Sequence, residues 1–343
     1  MAGSDAAIEL TTVADDLAVF HEGETTHRFE GLAPDTEVDL HGHTVRTLTR
    51  PGGELLARFA TVNDMHFGEI ECGVIDQRTD GPIVRPNPGE RPYPETMNSA
   101  AAAEIALIEP EAVIAKGDLS VDGSDEEWAA FEACWRQPFG ERLHVVRGNH
   151  DAYRGQNRYV GDQWIKLPGL TIGLLDTTIP GQTQGDLRPA QLAEVDDRLA
   201  STSGRVLLMG HHQQWVPSGP SSNRSVDYFG IGPDASDGLD DLCLRHRHVI
   251  GYAAGHTHRH RVRTMALSGV PSIEIGCVKD FPGTWAEYRV YEGGVMQVVH
   301  RISSADALSW SNRCRGIYSD FGIDYETYAL GTLADRCFVF PER

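Results

Sequence analysis

The stretch Leu143-His144-Val145-Val146-Arg147-Gly148-Asn149-His150-Asp151 decides the fold. A short apolar run leads into a glycine and then into Asn, His and Asp, the pattern of a buried strand whose C-terminal tip carries polar ligands. The same pattern occurs four more times. Leu55 to Val62 leads to Asp64-Met65-His66, and Ala112-Val113-Ile114-Ala115 leads to Gly117-Asp118. Arg205 to Met209 leads to Gly210-His211-His212, and Val249 to Ala254 leads to Gly255-His256-Thr257-His258. A single His is explained by ordinary packing. Five strand-end clusters made only of Asp, Asn and His are not.

Between these runs lie helical patterns. Residues 95–108 are Ala-rich and stop before Pro110. Residues 124–135 open on Ser-Asp-Glu-Glu, a capping-box signature, and 188–200 carry Pro189 in the first turn. Strand–helix alternation predicts an α/β fold with helices outside the sheets. Late strands are expected at 272–277, 286–291 and 295–302, the last two joined by Glu292-Gly293-Gly294, a hairpin signal. Residues 67–94 and 213–238 read as long loops at the ligand end of the sheets, where recognition loops and lids belong. Arg85, Arg91, Arg224 and Tyr93 on them are candidates to meet phosphate or base.

The donor chemistry is specific. Oxygen and nitrogen donors with no thiolate suit Mn, Fe or Zn in a reactive site, not a structural zinc clamp. Two ions close together need a shared ligand, and a carboxylate serves. Asp118 stands alone after its run and is the candidate bridge. Such a pair acidifies a bound water and clamps a phosphoryl oxygen. His150 follows Asn149 directly, so it is held beside the ions without being needed as a ligand, and a proton donor there would stabilise a departing alkoxide.

The five blocks, in order, resemble the calcineurin-like metallophosphoesterases, whose pattern is D-x-H, GD, GNH[DE], H and GHxH. The resemblance covers residues 59–258, and GNHD together with GHTH is its specific part. It implies a four-layer α/β/β/α sandwich with a small N-terminal β subdomain. It also implies two metal ions: Asp64, His66 and His258 on the first, Asn149, His211 and His256 on the second, and Asp118 between them. His150 and Asp151 are the expected catalytic residues, Asp151 by orienting His150 or nearby backbone. His212 is expected behind the ligands, and His144, His246, His248 and His260 are expected bystanders. Purple acid phosphatases of the wider family have a Tyr three residues after the bridging Asp and D-x-G in the first block. Here Val121 and His66 occupy those positions, so no tyrosinate ligand is expected.

The blocks look most like those of bacterial class III cyclic-nucleotide and glycerophosphodiester phosphodiesterases. The reading is therefore hydrolysis of a small phosphodiester, a cyclic nucleotide first, with a phosphomonoester as the alternative. A non-catalytic scaffold of the same fold would have lost ligands, and none is lost here.

Among the 343 residues the formal net charge is −20, which argues against a nucleic-acid polymer as partner. No run is apolar enough to span a membrane, and the first residues lack a signal-peptide pattern. The six Cys, with no CxxC, are expected to be reduced in a cytoplasmic protein. Cys314 and Cys337 are the pair to watch in an oxidising compartment. Residues 1–54 are expected to be a small β-rich region, with strands at 17–20, 27–30 and 37–40. Within it Gly31 to Val38 resembles a fibronectin type III turn, and a substrate-binding module is the alternative reading. Residues 55–302 are expected to form the catalytic domain. Residues 303–343 are an apolar extension that packs on the core, reaches over the site or pairs two subunits in a homodimer.

Overall fold

The computed structural model describes residues 8–75, 81–217 and 228–342. It begins with a three-stranded antiparallel sheet, β1 (Ile8–Val13), β2 (Leu17–Glu22) and β3 (Thr25–Glu30), and a hairpin of β4 (Glu37–Leu40) and β5 (His43–Arg46). These strands do not make a seven-stranded sandwich of their own. Ala14, Leu17 and Val19 share a core with Met296, Val298 and Cys337, and Thr12 Oγ1 donates to Val299 O at 2.7 Å.

The chain then enters β6 (Leu55–Val62), crosses through α1 (Tyr93–Leu107) to β7 (Ala112–Lys116), and through α2 (Asp125–Phe131) to β8 (Leu143–Val146). The three strands are parallel, as crossover helices require. The capping box at Ser124 and Glu127 is present, and one turn of π-helix at Glu132–Arg136 extends α2. A second sheet follows. It contains β9 (Gln163–Leu167), β10 (Leu170–Leu175), β11 (Val206–Gly210), β12 (Val249–Ala254), β13 (Arg261–Thr264) and β14 (Pro271–Glu274), in the order β13-β14-β12-β11-β10-β9. Two outer helices pack on it, α3 (Pro189–Ser201) and α4 (Pro233–Arg245). The long loop expected over 213–238 is thus shorter, because 233–238 are the first turns of α4. Pro233 opens that helix, where a missing N–H costs nothing.

The chain returns to the first sheet through β15 (Thr284–Tyr291) and β16 (Gly294–Arg301), antiparallel beside β6. It ends in α5 (Ala305–Arg313), α6 (Tyr325–Leu330) and the short edge strand β17 (Phe338–Val339). The first sheet has the order β17-β16-β15-β6-β7-β8.

Phe59, Ile114 and Tyr288 from the first sheet meet Ile172, Leu207 and Ile273 from the second in one buried core. Strands buried on both faces read as continuous apolar runs, which is why the five runs were visible. Helices α1, α2 and α5 cover the outer face of the first sheet, giving the α/β/β/α sandwich. Trp310 of α5 stacks on Tyr93 at 4.1 Å. Tyr93 therefore belongs to a helix and the core, not to a substrate-facing loop as expected. All six Cys are free. Cys337 sits beside Val13, whereas Cys314 lies in the core under α1 and α5. No helix among the described residues is long and apolar enough to cross a membrane.

Candidate metal centre

The tips of β6, β7, β8, β11 and β12 all point to one edge of the sandwich, and each delivers its polar block there. Asp118 Oδ2 stands 3.7 Å from His66 Nε2 and 3.2 Å from His211 Nε2, so one carboxylate oxygen faces a histidine from each sheet. His258 Nε2 is 3.6 Å from Asp64 Oδ1. Asn149 Oδ1 lies 3.0 Å from His211 Nε2, and the His211 and His256 rings are 5.0 Å apart. The seven residues expected as ligands are thus brought together, and all but His256 and His258 are buried.

The backbone is bent to do this. Asp64 (φ 52°), His66 (φ 49°), Asp118 (φ 50°), His256 (φ 68°) and His258 (φ 53°) all adopt the left-handed region. Such residues cost about 1–3 kcal/mol each and collect at functional sites. A residue turned left-handed just past a strand leaves the pleat, so its side chain can point along the strand axis. Amides hold the bends: His150 N–H donates to Asp118 Oδ1 at 2.9 Å, and His256 N–H to Asp64 Oδ2 at 3.0 Å.

The donor set fits cations. Overlapping groups, Asp64-His66-His258, Asp64-Asp118-His211, His66-Asp118-His150 and His211-His212-His256, each bring ligand atoms within 4.8 Å of one another. Neither ring nitrogen of buried His66 has a hydrogen-bond partner among the described residues, a costly arrangement without a ligand. The electrostatics agree. Burial opposes charge on His211, yet Asp118 and Asp64 push its pKa up to about 9. Burial and His211 press His256 down to about 3. Burial also works against the Asp118 carboxylate, but His211, His150 and His66 hold it well below the usual range. Two carboxylates so placed gather positive charge, as protons on histidine or as metal ions.

His150 Nδ1 meets Val121 O at 2.9 Å. A carbonyl only accepts, so Nδ1 carries the hydrogen and Nε2 is left for another partner. Asp151 does not make a substrate-facing group. Its oxygens accept from Leu119 N, Ser120 N, Ser120 Oγ and Gly148 N, tying the loops after β7 and β8 together. His212 Nδ1 contacts Thr177 Oγ1 at 2.8 Å, while its ring lies 4.7 Å from His256. His144, His246, His248 and His260 join none of the metal-capable groups. Arg85 pairs with Glu71, Arg91 lies beside Glu95 and Ser99 of α1 and away from the cluster, and Arg224 is outside the described residues.

Several residues lie outside the five sequence blocks or carry no ligand pattern of their own. Lys116 Nζ donates to Asn63 Oδ1 at 2.6 Å, and Asn63 Nδ2 donates to Asp64 Oδ2 at 2.6 Å, so a buried ammonium backs a ligand. Burial presses the Lys116 pKa down to about 7 against the pull of Asp64. A lysine ending an otherwise apolar run was the one available hint. Tyr153 OH accepts from Asn149 Nδ2 at 2.6 Å, which turns Asn149 Oδ1 toward His211. A cavity of about 1020 Å³ opens over the cluster. Its walls include Ile70 and Glu71 after the first block, Phe229, and Tyr318, Tyr325 and Tyr328 from the C-terminal extension.

A model of the calcineurin-like phosphoesterase family matches residues 57–260. The chain belongs to this family. Calcineurin-like phosphoesterases are metal-dependent hydrolases that typically bind two metal ions. A Synechococcus protein named a probable cyclic nucleotide phosphodiesterase is 27% identical over 195 residues, 54% of this chain and 73% of the relative. The 3',5'-cyclic adenosine monophosphate phosphodiesterase CpdA of Pseudomonas aeruginosa is 28% identical over 178 residues, 50% of this chain and 63% of the relative. Among solved structures, a dimetal phosphatase from Danio rerio superposes with a TM-score of 0.56 at 17% identity, covering 72% of this chain and 97% of that one. A yellow lupin purple acid phosphatase gives 0.51 at 14%, covering 82% and 60%. At these identities the two structures show the fold alone.

Proposed function

We propose that this calcineurin-like phosphoesterase hydrolyses small phosphodiesters, a cyclic nucleotide first among them. The observation that carries the reading is the Asp118 carboxylate set between His66 and His211, with Asp64, Asn149, His256 and His258 around it. Asp64, His66 and His258 would hold one ion, Asn149, His211 and His256 the other, and Asp118 both. Two such ions supply Lewis acidity toward a phosphoryl oxygen and an acidified water.

The chain's own residues do the rest. His150, fixed by Val121 O, presents Nε2 toward the cavity, where a protonated imidazole hands its proton to the leaving oxygen. Asp151 keeps the GD and GNH loops in register and is a positioning residue. Asn63 and Lys116 hold Asp64 in place. Phe229 and the three tyrosines give the cavity flat apolar faces suited to a base. Support for the diester comes from the relatives named as cyclic nucleotide and glycerophosphodiester phosphodiesterases. A phosphomonoesterase remains the second reading, because the same cluster serves both.

The test is hydrolysis of bis(p-nitrophenyl) phosphate beside p-nitrophenyl phosphate, by chelated protein and by protein reloaded with Mn, Fe or Zn. Cyclic AMP, cyclic GMP and a glycerophosphodiester follow. Metal-dependent preference for diesters, lost in His150→Ala, supports the proposal. Preference for the monoester moves the assignment to phosphatase, and no turnover with any metal sinks both.

A further inference from the structure

The C-terminal extension reaches the metal-ligand cluster through one carboxylate outside the five blocks. Asp280 Oδ2 lies 3.4 Å from His258 Nδ1, while His258 Nε2 faces Asp64. One ring nitrogen is thus turned to the cluster and the other to a buried carboxylate. Asp280 is itself held from several sides. Tyr325 OH donates to Oδ1 at 2.6 Å, Cys277 Sγ donates to Oδ1 at 2.9 Å, and Cys72 Sγ stands 3.7 Å from Oδ2. Asp280 is fully buried, and Trp310 Nε1 pins the preceding residue by donating to Lys279 O at 2.8 Å.

We propose that Asp280 and Tyr325 are positioning residues for the ion held by Asp64, His66 and His258, Tyr325 fixing Asp280 and Asp280 fixing the His258 ring. This rests on the metal-site reading above. A carboxylate on the far nitrogen of a ligating imidazole sets its tautomer and orientation and raises its basicity, and loss of such a partner costs about 10–100-fold in metal affinity. With the hydrogen on Nδ1, which faces Asp280 at 3.4 Å, Nε2 would keep its lone pair for the cluster. The phenol matters because it makes the shortest contact that fixes Asp280, and without it the carboxylate is free to rotate away from the ring.

His258, Cys277 and Asp280 also form a group within ligand distance of one another, so the geometry offers a third ion instead. The hydrogen bonding favours the positioning role. Both Asp280 oxygens are already engaged, Oδ1 by Tyr325 OH and Cys277 Sγ, and Oδ2 by Cys72 Sγ and the His258 ring. The extension is therefore part of the metal centre as well as a wall of the cavity.

The experiment uses the full chain. Wild type, Asp280→Asn, Asp280→Glu, Tyr325→Phe and Cys277→Ser are stripped, reloaded with Co(II) or Mn(II), and followed by metal content, competition with a chelator, and the visible Co(II) spectrum. The expected result is two ions in wild type. In Tyr325→Phe and Asp280→Asn, one of the two should bind about 10–100-fold more weakly, with a changed Co(II) spectrum and an unchanged second ion. Asp280→Glu should recover part of the affinity. Cys277→Ser should keep both ions. Thermal unfolding of the stripped proteins checks that each variant folds. Should Asp280→Asn fail to fold, Tyr325→Phe, which removes one hydroxyl, decides. Two ions in wild type with unaltered affinity and spectrum in both variants would overturn this proposal alone. Three ions in wild type, falling to two in Cys277→Ser, would overturn it in favour of a ligand role for Asp280. Fewer than two ions in wild type would overturn the metal-site reading and this proposal with it.

Discussion

A methyl group on Gly117 would meet the ring of His211, its Cβ only 2.6 Å from Nδ1 and from Cγ. Gly117 belongs to the loop after β7 and His211 to the tip of β11, so this glycine sets how closely the two sheets approach at the metal end. Its φ of 82° also excludes most other residues. Gly148 has the matching role, since a Cβ there would meet the Asp118 backbone and carboxylate.

Gly117→Ala should therefore cost both backbone strain and overpacking, about 2–4 kcal/mol together. The His211 ring should be displaced as well. Denaturant unfolding of the stripped protein measures the first effect. Metal content after reloading measures the second, with less than two ions per chain expected. Wild-type stability and full loading would show that the sheets part here without penalty.

Asp118→Asn removes the charge that faces His66 and His211 together. Metal content should fall by at least one ion per chain, and turnover of the best diester should drop by more than about a hundredfold, since Lewis-acid stabilisation is worth several kcal/mol. Elemental analysis and steady-state kinetics check both. Two ions and near-normal turnover in the Asp118→Asn variant would remove Asp118 from the bridging position.

Glu287 gives a pH prediction away from the metals. It is buried in β15 between Arg289 Nε at 2.9 Å and His300 Nε2 at 3.0 Å. Burial favours the protonated form, but His300 and Arg289 outweigh it and bring the carboxyl down from 4.5 to about 2. A carboxyl depressed on folding stabilises the native state above its unfolded pKa and loses that contribution as pH falls toward the folded value. The window is therefore pH 4.5 down to about 2, and the contribution is on the order of 3 kcal/mol. Unfolding of chelated wild type and Glu287→Gln across about pH 2–6 should show the gap between them closing toward the acid end. A gap independent of pH would contradict the assignment.

Trp310 joins the extension to the catalytic fold by stacking on Tyr93 and donating to Lys279 O. Trp310→Ala should cost about 3–5 kcal/mol, and truncation before Ser303 should prevent stable folding. Thermal melts of the two variants report this. A truncated chain with a wild-type melting temperature would mean that the extension adds nothing to the core.

Legibility followed burial and local order. The five blocks could be read because β6, β7, β8, β11 and β12 are apolar on both faces, and a ligand at a strand tip interrupts that run visibly. The capping box of α2 was equally local. The helix over 233–245 has no counterpart among the helices expected from the sequence, because Pro233 and Gly238 look like loop residues. Tyr93 was misplaced because the prolines around it suggested a loop, whereas Pro94 opens α1 and the ring is covered by Trp310, far along the chain.

The sequence by itself determined the α/β class, the order of the five blocks and the residue types that meet at the sheet ends, since periodicity and glycine-polar punctuation are properties of neighbouring residues. Only the tertiary structure decided which side chains stand behind the ligands. Lys116 behind Asn63, and Tyr325 behind Asp280 and His258, are contacts that no local pattern encodes. They arise because two packed sheets bring distant strand tips to one edge, where each buried polar atom must find a partner.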